Sequence, residues 1–140
     1  MLRGGRAFAF FEADGDAYLA FADLERDSAL YRWNGRSFVA HQSLDGPGGR
    51  TFAFVKGRDG RYLIRVNFMT GSRAAPTTAL FSQVYRWEGG RLVTIEEFPT
   101  FGGTDAAPFR VGDHLFVAVS NSLSTDVRFR VDSVVYRFLG

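Results

Sequence analysis

Side chains that could carry acid, base or metal chemistry are few and scattered in this 140-residue sequence. The two histidines, His41 and His114, fall in a predicted strand and a predicted turn, without a third metal ligand in register. Glu96 and Glu97 are adjacent on a predicted strand, so their carboxylates point to opposite faces and cannot pair as acid and base. Motifs for serine hydrolases, zinc proteases, nucleotides and dinucleotides are absent. We therefore predict no catalytic residues, no metal site and no cofactor.

Arginine and the two tryptophans offer a second kind of chemistry, which is contact with phosphates, bases or sugars. The chain has 16 Arg and only Lys56 as its lysine, but 15 acidic residues interleave them and the net charge is +2. No basic run marks a nucleic-acid site, so we expect no nucleic-acid partner. Trp33 and Trp87 could stack on sugars, but the equivalent slot holds Phe138, which favours packing of the repeat itself.

The elements that must position these residues are repeated. The dipeptide Tyr-Arg followed by an aromatic residue occurs at 31–33, 85–87 and 136–138, and Gly-Gly precedes each copy at 4–5, 48–49 and 102–103. Each unit contains short strand-like runs separated by Gly turns, and a period in the forties to fifties is typical of propeller blades. We predict an all-β fold with a single domain, residues 1–140, made of three four-stranded antiparallel blades at about 4–46, 48–99 and 102–140, the last lacking its fourth strand.

Two details of the strand assignment depend on local patterns. In the third repeat, the first strand is placed near Pro108 to Val111 and the third strand at Val131 to Phe138. In the second repeat, Tyr62 to Phe68 alternates large apolar residues with Arg65 and Asn67, which is the period of a half-buried strand.

The connections between strands differ on the two sides of each unit. Asn-Gly and Asp-Gly turns close the first and third hairpins, whereas the other connections are longer and more polar. Long loops on a rigid scaffold are frequent binding sites, although these loops could also be tolerated insertions. The predicted partner-binding residues on this side are Arg26, Asp27, Arg73, Thr78, Asp105, Asp126 and Arg128.

These motifs resemble a known repeat. The pattern Ser-x-x-Tyr-Arg-Trp-x-Gly at Ser28 to Ser43 and Ser82 to Phe98, and the strand ending Ala-x-Ser-Asn within Asp105 to Asn121, resemble the EAR repeat, also called EPTP. The resemblance covers nearly the whole chain as three copies. It implies a seven-bladed β-propeller in secreted or surface proteins that bind other proteins, sometimes with a channel metal ion. Of the acidic positions before the first-strand aromatic, only Asp105 is kept.

Three blades are too few for a ring, since propellers usually have about four to eight. The exposed end blades predict closure by identical copies, as a homodimer with six blades or a homotrimer with nine. A single closed antiparallel β-barrel is the alternative fold.

The function predicted from these features is a noncatalytic binding module that presents its loop face to a protein or glycan. The alternatives are a small cyclase-like or isomerase-like enzyme with an apolar site in the channel or barrel, and a structural or designed assembly. No apolar run reaches the roughly 18 residues of a membrane span, and no signal peptide is recognisable, so we expect a soluble chain whose compartment is not indicated.

Overall fold

The computed structural model describes residues 5–140, and every regular element in them is a β-strand. Several consecutive strands are joined as hairpins by Gly-containing turns, as the sequence predicts. The strands are β1 Gly5–Ala13, β2 Asp16–Asp23, β3 Ser28–Trp33, β4 Phe38–Leu44, β5 Gly49–Lys56, β6 Arg61–Asn67, β7 Thr70–Gly71, β8 Pro76–Thr77, β9 Ala79–Glu88, β10 Arg91–Phe101, β11 Gly103–Val111, β12 His114–Asn121 and β13 Val134–Phe138. Residues 5–140 contain no helix with the length and apolarity needed to span a membrane.

The strands form three separate blades. Blade 1 has the order β1-β2-β3-β4, blade 2 the order β5-β6-β9-β10, and blade 3 the order β11-β12-β13. All paired strands are antiparallel, and β7 and β8 form a small hairpin inside the β6–β9 connection. The predicted all-β fold of propeller blades is confirmed. The strands do not close into the alternative single barrel, because the described residues divide among distinct sheets.

Two predicted strand boundaries in blade 3 are wrong. β11 begins at Gly103 rather than near Pro108 and pairs with β12 along its whole length. Pro108 is accommodated because β11 is an edge strand, where a missing N–H leaves no ladder bond unmade. β13 begins at Val134 rather than Val131. The residue before it, Ser133, accepts the Asn121 N–H at its hydroxyl at 3.3 Å.

Each first strand opens with a β-bulge directly after a glycine. The register shifts in the three blades lie between Gly5 and Ala7, Gly49 and Thr51, and Gly103 and Asp105. A Cβ on Gly49 would approach the Ser28 hydroxyl oxygen of blade 1 to 2.5 Å, and one on Gly103 would approach the Asn67 carbonyl oxygen of blade 2 to 2.8 Å. Glycine therefore allows blade 2 to pack closely on blade 1, and blade 3 on blade 2.

A serine hydroxyl closes the base of each connection between the second and third strands. The hydroxyl accepts the backbone N–H of the residue that ends the second strand. The donor and acceptor pairs are Asp23 and Ser28 at 3.1 Å, Asn67 and Ser82 at 2.9 Å, and Asn121 and Ser133 at 3.3 Å. The sheet geometry is thus held at the same point whatever the length of the loop.

Two apolar cores lie between the blades. Phe11, Tyr18 and Leu30 of blade 1 pack against Phe52 and Leu63 of blade 2. The other face of blade 2 packs against blade 3, and this second core includes Val55, Ile64, Val66, Val117 and Val119. A blade between two neighbours is covered on both faces, so β6 is buried from Tyr62 to Asn67 and the half-buried assignment is wrong.

Arg65 shows how the second face of β6 is covered. Arg65 is 1% exposed, and its guanidinium donates to the carbonyl oxygens of Leu44 (3.2 Å), Asp45 (2.9 Å) and Gly46 (2.5 Å) at the end of β4. Its Nε donates to Asn67 Oδ1 at 2.9 Å. The charge is therefore solvated by main-chain dipoles, and Arg65 fastens blade 2 to the end of β4.

Candidate functional site

Antiparallel pairing places the long connections on one side of the blades. We call this side the loop face, comprising residues 24–27, 45–48, 68–78, 102 and 122–133. Gly48 donates its N–H to Leu24 O and accepts at its own carbonyl from Phe68 N–H, both at 2.8 Å. In the same way, Gly102 donates its N–H to Thr78 O at 2.9 Å and accepts the Ser122 N–H at its carbonyl oxygen at 3.0 Å. Two glycines with positive φ thus join the loops of successive blades into one surface.

The blade 1 part of the loop face contains Arg26 and Asp27. Asp23 caps this short loop, because its Oδ1 accepts the N–H groups of Glu25 at 2.9 Å and Arg26 at 3.1 Å. Asp27 is exposed, but its carboxylate accepts from Gly46 N–H at 2.7 Å and from the Ser43 hydroxyl at 3.3 Å. Arg26 therefore projects from a fixed loop, whereas Asp27 contributes mainly to holding that loop.

The blade 2 part is the β7–β8 hairpin. Arg73 is exposed at its tip, where Ala75 N–H donates to the carbonyl and hydroxyl oxygens of Ser72, each at 3.2 Å. Thr78 is fully buried and donates its hydroxyl to Ser124 O at 2.8 Å. The placement of Thr78 on the contact surface is corrected accordingly: it joins the blade 2 and blade 3 loops from beneath.

The blade 3 part is the longest continuous loop. Arg128 Nε and Asp126 Oδ2 form an exposed ion pair at 3.1 Å. The Ser124 hydroxyl donates to the Asp126 carboxylate and accepts the Arg128 N–H at 3.1 Å. Val127 adopts a φ of 60°, which is uncommon for a β-branched residue and marks a tight turn. The loop thus presents one guanidinium and one carboxylate as a fixed pair.

Asp105 is the one predicted residue that lies in a strand. It follows the bulge that opens β11, is exposed, and accepts the N–H of Ala106 at Oδ1 at 2.9 Å. The predicted partner-binding residues therefore do not all lie on one surface. Arg26, Arg73, Asp126 and Arg128 project from the loop face, whereas Asp105 lies on the outer face of blade 3.

Sequence reasoning missed Phe129, the most exposed large side chain on the loop face. Its side chain is 85% exposed between Arg128 and Arg130. Aromatic residues and arginine are enriched among residues that dominate binding energy. The available signal was one aromatic side chain between two arginines in a connection rich in polar residues.

The histidines and acidic residues do not converge into a catalytic or metal site. His41 Nε2 lies 2.7 Å from Gly90 O, and His114 Nδ1 lies 2.9 Å from an Arg137 guanidinium nitrogen. Within residues 5–140, no three His, Cys, Asp or Glu side chains are grouped to hold a metal ion. The polar groups of this part of the chain instead link strands and loops.

Residues 3–34 and 91–139 match the EPTP domain family. The two ranges together cover more than half of the chain and contain β1 to β3 of blade 1, β10 of blade 2 and all of blade 3. The chain belongs to the EPTP family. A human protein named "Thrombospondin-type laminin G domain and EAR repeat-containing protein" is 32% identical over 123 residues, and the mouse protein of that name has the same identity over the same length. In each case the match covers 86% of this chain and 18% of the relative. The EPTP blades therefore correspond to a small part of these relatives, and the family indicates a noncatalytic protein-interaction module.

Proposed function

We propose that this EPTP chain is a noncatalytic interaction module whose blades are completed into a propeller by further copies of itself, and whose loop face binds a protein. One observation carries the self-assembly. The two outer faces of the three-blade array carry Phe residues at the positions whose aromatic residues pack together in the blade 1–blade 2 interface.

The blade 1–blade 2 interface provides the template. Phe11 and Tyr18 of blade 1 stack with ring centroids 5.4 Å apart and an interplanar angle of 19°. Phe54 of blade 2 covers Phe11, with centroids 5.3 Å apart and planes 6° apart. Phe54 and Trp87 of blade 2 thus pack on two aromatic residues of blade 1, an arrangement that buries large apolar area.

The outer face of blade 3 repeats the receiving side. Phe109 and Phe116 occupy the positions of Phe11 and Tyr18, and their rings stack at 5.5 Å with an angle of 20°. Phe109 is 41% exposed. Phe109 and Phe116 are therefore arranged like Phe11 and Tyr18, but no aromatic residue of a following blade packs on them within the described residues.

The outer face of blade 1 repeats the inserting side. Phe8 and Phe10 occupy the positions of Phe52 and Phe54, counted from the bulge glycines Gly5 and Gly49. Phe8 and Phe10 are each 56% exposed, whereas Phe52 is 6% exposed. Phe10 of a second copy can therefore stack on Phe109 in the way that Phe54 stacks on Phe11.

This head-to-tail contact generates a ring when the rotation between blades closes. A homodimer has six blades, within the common range of about four to eight, whereas a homotrimer exceeds it. We therefore favour the homodimer. Its ring would place the loop faces of both copies on one side, which is a broad surface for a protein partner.

Mass in solution tests the assembly. Light scattering of the 140-residue chain is expected to give the dimer mass, and the variant Phe10→Ser with Phe109→Ser is expected to give the monomer. Phe81→Ser is the matched control, since Phe81 is also exposed but does not belong to either stack. A wild-type monomer at micromolar concentration would contradict the self-assembly.

A separate experiment tests the loop face. Peptides selected from a displayed library on the wild-type chain are measured against Arg73→Ala, Arg128→Ala and Phe129→Ser. We expect Phe129→Ser to weaken binding about tenfold or more, as for an aromatic anchor. Arg58→Ala, on the opposite side of blade 2, serves as the control. Selected peptides that bind every loop variant as tightly as wild type would refute the assignment of the ligand to this face.

A further inference from the structure

The outer edge of β13 differs from the equivalent edges in the other two blades. In blade 1 the third strand β3 pairs with β4, and in blade 2 the third strand β9 pairs with β10. Within the described residues, β13 pairs only with β12. Its backbone N–H and C=O groups on the outer side are therefore available to a further strand.

An apolar cleft of about 300 Å³ lies beside this edge. Residues of blade 2 and blade 3 line this cleft, and they include Tyr62, Ile64, Ile95, Val117 and Tyr136. Phe98 of β10 and Tyr136 of β13 meet in its floor, with ring centroids 5.5 Å apart and an edge-on angle of 63°. The cleft is thus a continuation of the established blade 2–blade 3 interface.

The corresponding place between blades 1 and 2 is filled by the fourth strand of blade 2. Gln42 of β4 binds the main chain of Leu92 in β10 at both ends of its amide: Nε2 donates to Leu92 O and Oε1 accepts Leu92 N–H, each at 2.8 Å. The preceding residue, His41, lies 2.7 Å from Gly90 O. The side chain of Leu92 is buried between the blades. Blade 1 therefore holds the fourth strand of blade 2 by its backbone and by one leucine.

Blade 2 presents residues in the same two positions toward blade 3. The register breaks in β4 and β10 make Ile95 the counterpart of His41 and Glu96 the counterpart of Gln42, because Gln42 pairs with Leu30 and Glu96 pairs with Val84. Ile95 and Glu96 both line the cleft beside β13. They stand where they would hold a fourth strand on blade 3.

We propose that the edge of β13 binds an extended strand of a partner polypeptide, antiparallel to β13. The partner places a large apolar side chain opposite Phe138, in the cleft, as Leu92 lies opposite Trp87 in blade 2. The backbone N–H of that residue donates to the Glu96 carboxylate. Gln42 both donates to and accepts from the main chain of Leu92, whereas an ionised Glu96 can only accept. Glu96 therefore binds the N–H of the partner residue, and the carbonyl group of that residue is left to solvent.

Strand addition suits this edge because main-chain bonds supply affinity and the pockets for alternate side chains supply specificity. The contact is independent of ring closure, since the outer edge of β13 and the end faces that carry Phe10 and Phe109 are different surfaces. The two proposals can therefore fail separately: ring closure is measured by mass, and strand addition by peptide binding.

The probe is a peptide that copies residues 91–101 of this chain, the fourth strand of blade 2. Titration into the dilute 140-residue chain, followed by calorimetry, is expected to show one saturable site. The peptide with Leu92→Asp is expected to bind at least tenfold more weakly, because a carboxylate would enter the apolar cleft. The peptide N-methylated at the Leu92 amide is expected to lose about tenfold, since it cannot donate to Glu96.

Variants of the chain identify the site. Glu96→Ala is expected to weaken the unmodified peptide about tenfold and to leave the N-methylated peptide unaffected, because the same hydrogen bond is already missing. Glu97→Ala removes an equal charge from the neighbouring position on the opposite face and is the matched control, expected to bind as wild type. Absence of peptide binding, or equal binding by the unmodified and N-methylated peptides, would overturn the proposal.

Discussion

Trp87 of blade 2 donates its indole N–H to Asp14 Oδ2 of blade 1 at 2.7 Å. Asp14 lies in the turn between β1 and β2 with a φ of 52°, a left-handed conformation that Asp tolerates better than most residues. The indole ring also packs on Phe11 and Tyr18, with centroids 5.7 Å and 4.6 Å away. Trp87 therefore connects two blades by packing and by a hydrogen bond on the side opposite the loop face.

Replacing this indole tests how far the contact stabilises the array. We expect Trp87→Phe to lower the free energy of unfolding by about 1–2 kcal/mol, from the lost hydrogen bond and reduced burial. Trp33→Phe is the control, because Trp33 occupies the same position in blade 1 and is largely exposed. Denaturant unfolding measures both, and equal losses in the two variants would contradict a specific role for the Trp87–Asp14 bond.

Removing the guanidinium of Arg65 is expected to have a larger effect. Arg65→Ala leaves the carbonyl groups of Leu44 and Asp45 without their donor and opens a cavity, so we expect a loss of roughly 2–4 kcal/mol in unfolding free energy. Arg65→Lys should recover only part of this, because an ammonium group cannot reproduce the planar fork. Arg91→Ala, at an exposed position on β10, should change stability by no more than about 0.5 kcal/mol.

Alkaline pH should destabilise the chain through Tyr85. Burial raises the pKa of Tyr85 above its ordinary value of 10.0, and the nearby Arg65 charge opposes this only in part. The folded state therefore favours the neutral phenol, so the associated stability is complete below pH 10 and is lost as pH rises through the folded-state pKa. We expect the unfolding free energy of wild type to fall more steeply than that of Tyr85→Phe as the pH rises above 10.0. Parallel curves for the two proteins would refute this.

A methyl group at the glycine of the third bulge should disturb the contact between blades 2 and 3. A Cβ on Gly103 would lie 2.7 Å from Val66 Cγ1 and 2.8 Å from Asn67 O, closer than real side chains approach. We expect Gly103→Ala to cost roughly 1–3 kcal/mol, as overpacking does. Gly60→Ala is the control, since its new Cβ would meet only the Arg86 side chain at 3.4 Å and its φ is not positive. Thermal unfolding of the two variants should differ clearly.

The blade order could be predicted because local chemistry specifies it. The second residue of each Gly-Gly pair begins a first strand, and turns such as Asn34-Gly35 use the positive φ that hairpins need. These signals need only neighbouring residues. The start of β11 was missed for the same reason: Pro108 weakens the local strand pattern, and only the pairing of β11 along β12 shows that the strand begins at Gly103.

Burial on the second face of β6 could not be predicted from its alternation. The pattern of Tyr62, Ile64 and Val66 identifies one apolar face, and Arg65 makes the other face look solvated. The cover comes from blade 1, whose carbonyl groups at Leu44, Asp45 and Gly46 lie about twenty residues earlier in the chain. A contact between residues so far apart in the sequence does not change the hydrophobic alternation within β6.

Connectivity predicted which side of the blades carries the loops, but not which loop side chains are accessible. Thr78 is polar and lies in a long connection, yet the path of the chain places it beneath Ser124. Phe129 is apolar and yet projects into solvent. Exposure in an irregular segment depends on backbone course, which residue type alone does not determine.

The serine hydrogen bonds at the base of the three connections hold the second and third strands together whatever the length of the loop between them. The same N–H to hydroxyl bond joins residues 5, 15 and 12 positions apart in blades 1, 2 and 3. Closing a longer loop adds little entropy cost, about 0.6 kcal/mol for each doubling of length. Foreign segments could therefore replace exposed loop residues such as 25–26, 72–75 or 129–130 without altering strand pairing. In this respect the molecule is a natural frame for grafted recognition sequences, in which new loop sequences can be tried while the blades stay the same.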